Sequence, residues 1–251
     1  MIDLHCHLLP AVDDGSRSVM HSAAVLRRWQ EEGVTAVCLT PHVLASRAAD
    51  GVPRQHDDAF QALLVEAPKE ITLHRGAEIM LDVPATAAAL RPHTLGGTRY
   101  VLVEFPRMIA EEAVRNALLV VARSGLVPVL AHPERYTSCS AQAAHRWRQS
   151  GAKLQVDATT LLSPQPRGDR ARALLRHGLG DIIAADNHGD SRSLPIGYRA
   201  LVEFGGEEQA GLLAVANPAA ILADEPLAPV PPLEIRRTLL QRIRRLFAND
   251  Q

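Results

Sequence analysis

The sequence predicts an α/β protein folded as a seven-stranded (β/α)7 TIM-like barrel with extra C-terminal helices. Seven short apolar runs alternate with helical stretches, the rhythm of a parallel sheet. The unusual polar residues stand directly after these runs, at the strand ends where a (β/α) barrel assembles its active site. No Gly-x-Gly-x-x-Gly follows the first strand, which disfavours a dinucleotide fold. At 251 residues, 47% hydrophobic and 22% charged, the chain can bury one large core. Residues 1–225 read as the barrel and 226–251 as a Pro-rich connector followed by a basic amphipathic helix.

The first strand, with Ile2 and Leu4 alternating with polar neighbours, delivers His5 and His7 at i and i+2, so that both rings can face one cation. A turn-rich stretch from Pro10 to Ser16 carries Asp13 and Asp14 back toward the same place. Ser18 can cap a helix over 18–32 that Gly33 stops, and 34–39 reads as a buried strand ending in Thr40-Pro41-His42. A helix over 55–66 and a strand over 71–77 ending at Glu78 follow. Asp82 can cap a short helix with Pro84 in its first turn, before a strand over 99–103 ending at Glu104.

The rhythm continues with a helix over 111–124 closed by Gly125 and a strand over 126–131 ending in His132-Pro133-Glu134-Arg135. A helix over 141–149, a strand over 153–156 ending at Asp157, a helix over 170–177 and a strand over 181–185 ending in Asp186-Asn187-His188-Gly189 complete the barrel. Helices over 198–204 and 207–215 come next, and Asn217-Pro218 caps a short one through Leu222. Pro226, Pro229, Pro231 and Pro232 make an extended connector. The last helix, over 233–247, sets Ile235, Leu239, Ile243, Leu246 and Phe247 along one side and five arginines elsewhere. It either packs on the barrel with a solvated face or docks to a partner or an anionic membrane surface.

Bulk properties narrow the function. A net charge of −1 argues against a nucleic-acid binder, and three cysteines without framework spacing point to a reducing compartment. With no run near the roughly 20 apolar residues a membrane helix requires and no signal peptide, the expectation is a cytoplasmic protein. The strand ends collect His5, His7, Asp14, His42, Glu78, Glu104, His132, Asp186 and His188. Nine such groups are too many for one ion and suit two or three divalent ions bridged by a carboxylate, with Mn²⁺, Fe²⁺ or Zn²⁺ matching mixed imidazole and carboxylate donors. Singly, each has a plainer reading, such as a helix cap for Asp14 or a surface ion pair for Glu104. The remaining histidines fall away from the strand ends and read as structural or solvated.

The strings Ile2-Asp3-Leu4-His5-Cys6-His7, Val12-Asp13-Asp14-Gly15, Thr40-Pro41-His42, Gly76-Ala77-Glu78-Ile79, His132-Pro133-Glu134-Arg135-Tyr136 and Asp186-Asn187-His188 together resemble the polymerase and histidinol phosphatase (PHP) superfamily. Within it they are most similar to the bacterial manganese-dependent tyrosine phosphatases of capsule and exopolysaccharide loci. The likeness runs from Met1 to about Leu222 and leaves out the basic C-terminal helix. It implies a distorted barrel with three divalent ions, Mn²⁺ ahead of Fe²⁺, Zn²⁺ or Mg²⁺. His5, His7, Glu78 and Asp186 would hold the first, Glu78 as bridge with Glu104 and His132 the second, and Asp14, His42 and His188 the third.

Arg135 matches a family arginine that steadies the phosphate, and Arg192 sits near a second, in a loop about one residue shorter. Cys6 stands where the family often has Ser, and Asp157 where it tends to place an uncharged polar residue; Asp157 is either an extra acid near the site or a strand-end cap. The implied activity is hydrolysis of phosphotyrosine, on a tyrosine autokinase that controls polysaccharide synthesis and export. Alternatives are a small-molecule phosphomonoesterase such as a histidinol phosphatase, a nuclease, which the near-neutral charge disfavours, or a non-catalytic regulatory scaffold. No cysteine is followed by Arg six positions later, so the Cys-x5-Arg loop of thiol-dependent tyrosine phosphatases is missing. The general acid stays open between a metal-bound water and the His42 region.

Overall fold

The computed structural model describes residues 1–234, so the predicted basic helix lies almost wholly outside the described residues. Leu233 and Glu234 belong to the extended connector, and Leu233 N–H donates to Leu175 O at 3.0 Å. Among the described residues, no helix is long and apolar enough to cross a membrane.

Strand β1 (Ile2–Cys6) leads to helix α1 (Val19–Glu31), where Ser18 Oγ accepts from His21 N at 3.2 Å and Gly33 takes a left-handed φ of 91° just past the end. Then come β2 (Ala36–Leu39), β3 (His42–Leu44), α2 (Ala45–Ala48), α3 (Arg54–Glu66), β4 (Thr72–Arg75), β5 (Glu78–Met80) and α4 (Ala87–Leu90). The second half alternates regularly through β6 (Tyr100–Glu104), α5 (Glu111–Arg123), β7 (Val127–Ala131), α6 (Ala141–Gln149), β8 (Lys153–Asp157), α7 (Pro166–Arg176) and β9 (Ile182–Ala184). Helices α8 (Leu194–Glu203), α9 (Glu207–Gly211) and α10 (Asn217–Leu222) close the described chain.

All strand pairs are parallel, in a three-stranded sheet ordered β1-β2-β4 and a six-stranded sheet ordered β3-β5-β6-β7-β8-β9. The predicted closed ring of seven strands is thus not what forms: nine strands occur among the described residues, in two sheets. The strand over 34–39 resumes past Thr40-Pro41 as β3, and the strand over 71–77 is β4, a break at Gly76-Ala77, then β5. Pro41 has no N–H for a ladder, and Thr40 turns its hydroxyl to accept from Cys6 N at 3.0 Å. Gly76 is pressed so close that a Cβ there would lie 2.9 Å from Cys38 Sγ. The break sets His42 opposite Glu78 in the next sheet.

Strands β1 and β9 are not paired along their length, and one bridge, between Cys6 and Asn187 just past β9, links their C-terminal ends. Asp186 N donates to His5 O at 2.9 Å and His7 N to Asn187 O at 2.8 Å. Below them the buried Asp3 carboxyl accepts from His5 N and Ala185 N, and burial pushes its pKa up to about 7.

Strand alternation sorts the core into two layers. Leu4, Cys38, Tyr100, Leu102, Val129, Ala131 and Ile182 pack on one another between the sheets, while Val101, Val103, Leu154 and Val156 pack outward with Trp29 and Trp147 under the helices. Glu104 therefore shares the inner face with Leu102, and Gln155 and Asp157 lie on the face opposite Leu154 and Val156.

Three local expectations fail. Thr86, not Asp82, caps α4, and Asp82 instead accepts from Ser46 N at 3.0 Å. Helices α7 and α8 each start four residues early, with a proline in the first turn. Asn217 is no cap: α9 runs into α10 through a π turn at Leu212–Ala216, and the Asn217 amide bonds Asp181 O and both Ala228 backbone groups, tying down the connector.

Candidate metal centre

The nine predicted ligand residues converge at the C-terminal ends of the strands. Three groupings bring possible ligand atoms within 4.8 Å of one another: His5, His7, Glu78 and Asp186; His42, Glu78 and Glu104; and His7, Asp14, His42 and His188. His132 reaches the same place from the end of β7, its Nε2 2.8 Å from Glu78 Oε1 and 3.9 Å from Glu104 Oε2. Glu78 is central, with His5, His7 and His42 nitrogens 3.2–3.3 Å from its Oε2. Asp14 and His42 are exposed at the mouth, whereas His5, His7, Glu78 and Asp186 are buried. All of these groups except the buried His5 and His7 line an open cleft of about 200 Å³ with Phe105, Arg107, Arg135 and Tyr136.

Outer partners aim the rings. His5 Nδ1 donates to Gln155 Oε1 at 2.9 Å, and the same oxygen accepts from His132 N at 3.2 Å. His7 Nδ1 donates to Asp13 Oδ2 at 2.8 Å, and Asp13 also accepts from Gly15 N and His42 N. With their Nδ1 protons committed, neutral His5 and His7 must present Nε2 lone pairs to the centre. Those two nitrogens are 3.2 Å apart, and each lies within 3.3 Å of Glu78 Oε2 and Asp186 Oδ1. Four electron-rich atoms facing one another in a buried space repel unless something positive sits among them, so these residues fit a divalent cation. Glu78 Oε2 accordingly lacks a hydrogen-bond donor.

The electrostatics agree. Burial opposes charging His5, but the carboxylates of Glu78 and Asp186 outweigh it and push the imidazole up to about 9. Burial would likewise raise Glu78 and Asp186, yet the facing imidazoles, and Arg135 for Asp186, hold both carboxyls well below their ordinary range. His132 and Asp186 adopt left-handed φ values of 32° and 48°, backbone strain that the surrounding structure must sustain.

Arg135 and Arg192 both bind the outer oxygen of Asp186, Arg192 at 2.9 Å. Arg135 also donates to Asp157 Oδ2 at 2.7 Å, and Arg192 to Asp190 Oδ2 at 2.8 Å. Asp157 is both of the things its position suggests, since its other oxygen accepts from Thr159 N, Thr159 Oγ1 and Thr160 N. Sequence reasoning brought Asp13 to the site without its role as partner of His7, and missed Gln155 and Arg107. Asp13 had a signal in its adjacency to Asp14, and Gln155 in its alternation with Asp157; Arg107 had none.

A family model described as "Capsular polysaccharide synthesis, CpsB/CapC" matches residues 1–223. The chain is 27% identical over 241 residues to tyrosine-protein phosphatase CpsB of Streptococcus pneumoniae, covering 90% of this chain and 99% of that protein. It is 26% identical over 256 residues to tyrosine-protein phosphatase YwqE of Bacillus subtilis, covering 96% and 98%. Its fold superposes with a TM-score of 0.78 on a crystal structure from work on YwqE of Bacillus subtilis and CpsB of Streptococcus pneumoniae, described as unique metal-dependent tyrosine phosphatases. There the identity is 23%, over 94% of this chain and all of that one.

Proposed function

The chain belongs to the CpsB/CapC family of capsular polysaccharide synthesis, and from that premise we propose that it is a metal-dependent protein-tyrosine phosphatase. The observation that carries the reading is the buried meeting of His5 Nε2, His7 Nε2, Glu78 Oε2 and Asp186 Oδ1, a donor set that calls for a cation. Relatives of nearly equal length are named tyrosine-protein phosphatases, which supports phosphotyrosine as the substrate.

We assign three divalent ions, Mn²⁺ first among them, to His5, His7, Glu78 and Asp186; to Glu78, Glu104 and His132; and to Asp14, His42 and His188. His7 and His42 each lean toward a neighbouring group as well. Bound there, such ions would supply Lewis acidity, activating water and neutralising phosphoryl charge. The chain's own part is to hold the phosphoryl group. Arg135 lines the cleft and Arg192 reaches its Asp186 wall, and Asp157 and Asp190 fix their directions. A phenolate leaves more readily than an alkoxide, so little is asked of a general acid, and a bound water or the His42 region would suffice.

Thiol chemistry has no support here: Cys6, Cys38 and Cys139 are buried, none lines the cleft, and burial pushes the thiols of Cys38 and Cys139 up to about 12. The physiological substrate we assign is the phosphorylated tail of a tyrosine kinase governing polysaccharide export, met in the cytoplasm. The test is turnover of a phosphotyrosine peptide beside histidinol phosphate. The proposal expects Mn²⁺-stimulated hydrolysis of the peptide, loss on chelation and resistance to iodoacetamide. Preference for histidinol phosphate, or inactivation by alkylation with indifference to chelation, would overturn it.

A further inference from the structure

Three arginines line or edge the metal cleft, and two are already engaged: Arg135 with Asp157 and Asp186, Arg192 with Asp186 and Asp190. Arg107 lines the same cleft, and among the described residues its guanidinium has neither a carboxylate partner nor a hydrogen bond. Its backbone, however, is firmly placed. Thr137 donates to Arg107 O through both its N–H, at 3.0 Å, and its hydroxyl, at 3.2 Å. Phe105 N donates to the Tyr136 hydroxyl at 3.2 Å, that hydroxyl donates to Ala131 O at 3.1 Å, and the two rings meet edge to face. The segment after β6 is thereby fastened to residues 136 and 137, directly beyond Arg135.

From this geometry we propose that Arg107 is a substrate-recognition residue that binds an anionic oxygen of the substrate. The inference rests on the phosphatase reading. The inner part of the cleft is lined by Glu78, Glu104 and Asp186, a field that repels a dianion until cations are bound. An uncommitted guanidinium on a pinned backbone at the rim offsets that repulsion with all its donors free, whereas Arg135 and Arg192 already spend part of theirs on Asp157, Asp186 and Asp190. Two sources of the oxygen share this chemistry: the phosphoryl group, or a carboxylate flanking the phosphotyrosine. An exposed guanidinium forks onto either one.

The experiment compares Arg107→Lys, Arg107→Gln and Arg107→Glu in the metal-loaded full chain. Metal content and thermal midpoint are measured to exclude loss of fold or of metal. Substrates are p-nitrophenyl phosphate and two phosphotyrosine peptides, one with neutral and one with acidic flanks; inorganic phosphate serves as a binding probe. With a dianion a few ångströms away in high dielectric, Arg107→Gln is expected to lower kcat/KM about tenfold, mainly through KM, and Arg107→Glu about a hundredfold. Arg107→Lys should lie between wild type and Gln, and all the losses should shrink as salt rises.

Equal losses on all three substrates, with weaker inhibition by phosphate, identify the phosphoryl group. Losses confined to the acidic peptide identify the flanking carboxylate. Gln and Glu variants within about twofold of wild type on every substrate overturn the proposal. If the wild type hydrolyses no phosphotyrosine, the phosphatase reading fails on its own, and binding of inorganic phosphate and of the acidic peptide across the same variants still decides Arg107, unchanged affinity for both overturning its role.

Discussion

Replacing Asp13 with Asn tests whether a residue that touches no ion sets the strength of the metal centre. The carboxylate accepts from His7 Nδ1 at 2.8 Å and His42 N at 3.2 Å through one oxygen, and from Gly15 N at 3.0 Å through the other. Partial burial would raise its pKa, but the His7 bond and the other donors hold it below the usual carboxylate range. An Asn has one acceptor oxygen. Turned toward His7 it sets its amide NH2 against Gly15 N–H, and turned the other way it sets NH2 against His7 Nδ1. Losing one charge-assisted bond of this kind costs about 1.5–3 kcal/mol. If that cost falls on the orientation and basicity of His7, metal affinity drops about 10–100-fold. Competition titration of Mn²⁺ against a chelating dye, wild type beside Asp13→Asn, reads the change directly, and urea midpoints of the metal-free proteins check the fold. Equal affinity, within about twofold, would refute the claim that Asp13 aims His7 at a cation.

Gly15→Ala should disrupt the same loop, because its Cβ would lie 2.0 Å from His7 O and 2.4 Å from His7 Cβ; reduced Mn²⁺ affinity in the same titration is the outcome expected. Chelation should lower the thermal midpoint and added Mn²⁺ restore it, as the buried carboxylates and imidazoles lose and regain their counter-charge; calorimetry with and without EDTA reports the shift. At the opposite end of the strands, Arg148→Met removes the partner 3.1 Å from Asp181, a side chain 2% exposed, and should cost about 2–3 kcal/mol, at or below the lower end of the buried-pair range because Arg148 itself is partly exposed. Burial outweighs Arg148 and already raises the Asp181 pKa, so this group's contribution is fullest at low pH and is lost as pH rises through its folded value. Without Arg148 that value climbs further, so the variant's deficit in urea unfolding should be larger at pH 8 than at pH 5.

The clustering of the proposed metal ligands was legible because they are residue types a core does not bury without cause. His5, His7, Glu78 and Asp186 are each at most 1% exposed, and an imidazole or carboxylate at the end of an apolar run marks the sequence even before its contacts are known. Parallel alternation was legible for the same kind of reason, since Tyr100–Glu104 and Val127–Ala131 carry their own composition. The breaks at Thr40-Pro41 and Gly76-Ala77 were not. Each is a local event whose meaning depends on the other, since Gly76 N pairs with Leu39 O and Glu78 N with Pro41 O across the two broken strands. Only the pair of breaks, taken together, turns His42 to face Glu78.

The residues that aim the site were hidden for a different reason. Gln155 and Asp13 act by supplying an oxygen at a particular angle, and many side chains along the chain could do that. Nothing in their type separates Gln155 from Gln149, which is an exposed helical residue beside His145. What selects Gln155 is that β8 lies beside β7, so one oxygen can receive His5 Nδ1 and His132 N together. A ligand set is thus a matter of composition at strand ends, while the protonation and orientation of each ligand follow from which strands are neighbours. Gln155→Leu, of similar size but unable to accept either bond, isolates the second from the first. It leaves every proposed ligand in place and frees His5 to protonate at Nε2, so Mn²⁺ affinity should fall although no ligand has been removed. Affinity equal to wild type in that variant would mean that the strand-end residues alone define the centre.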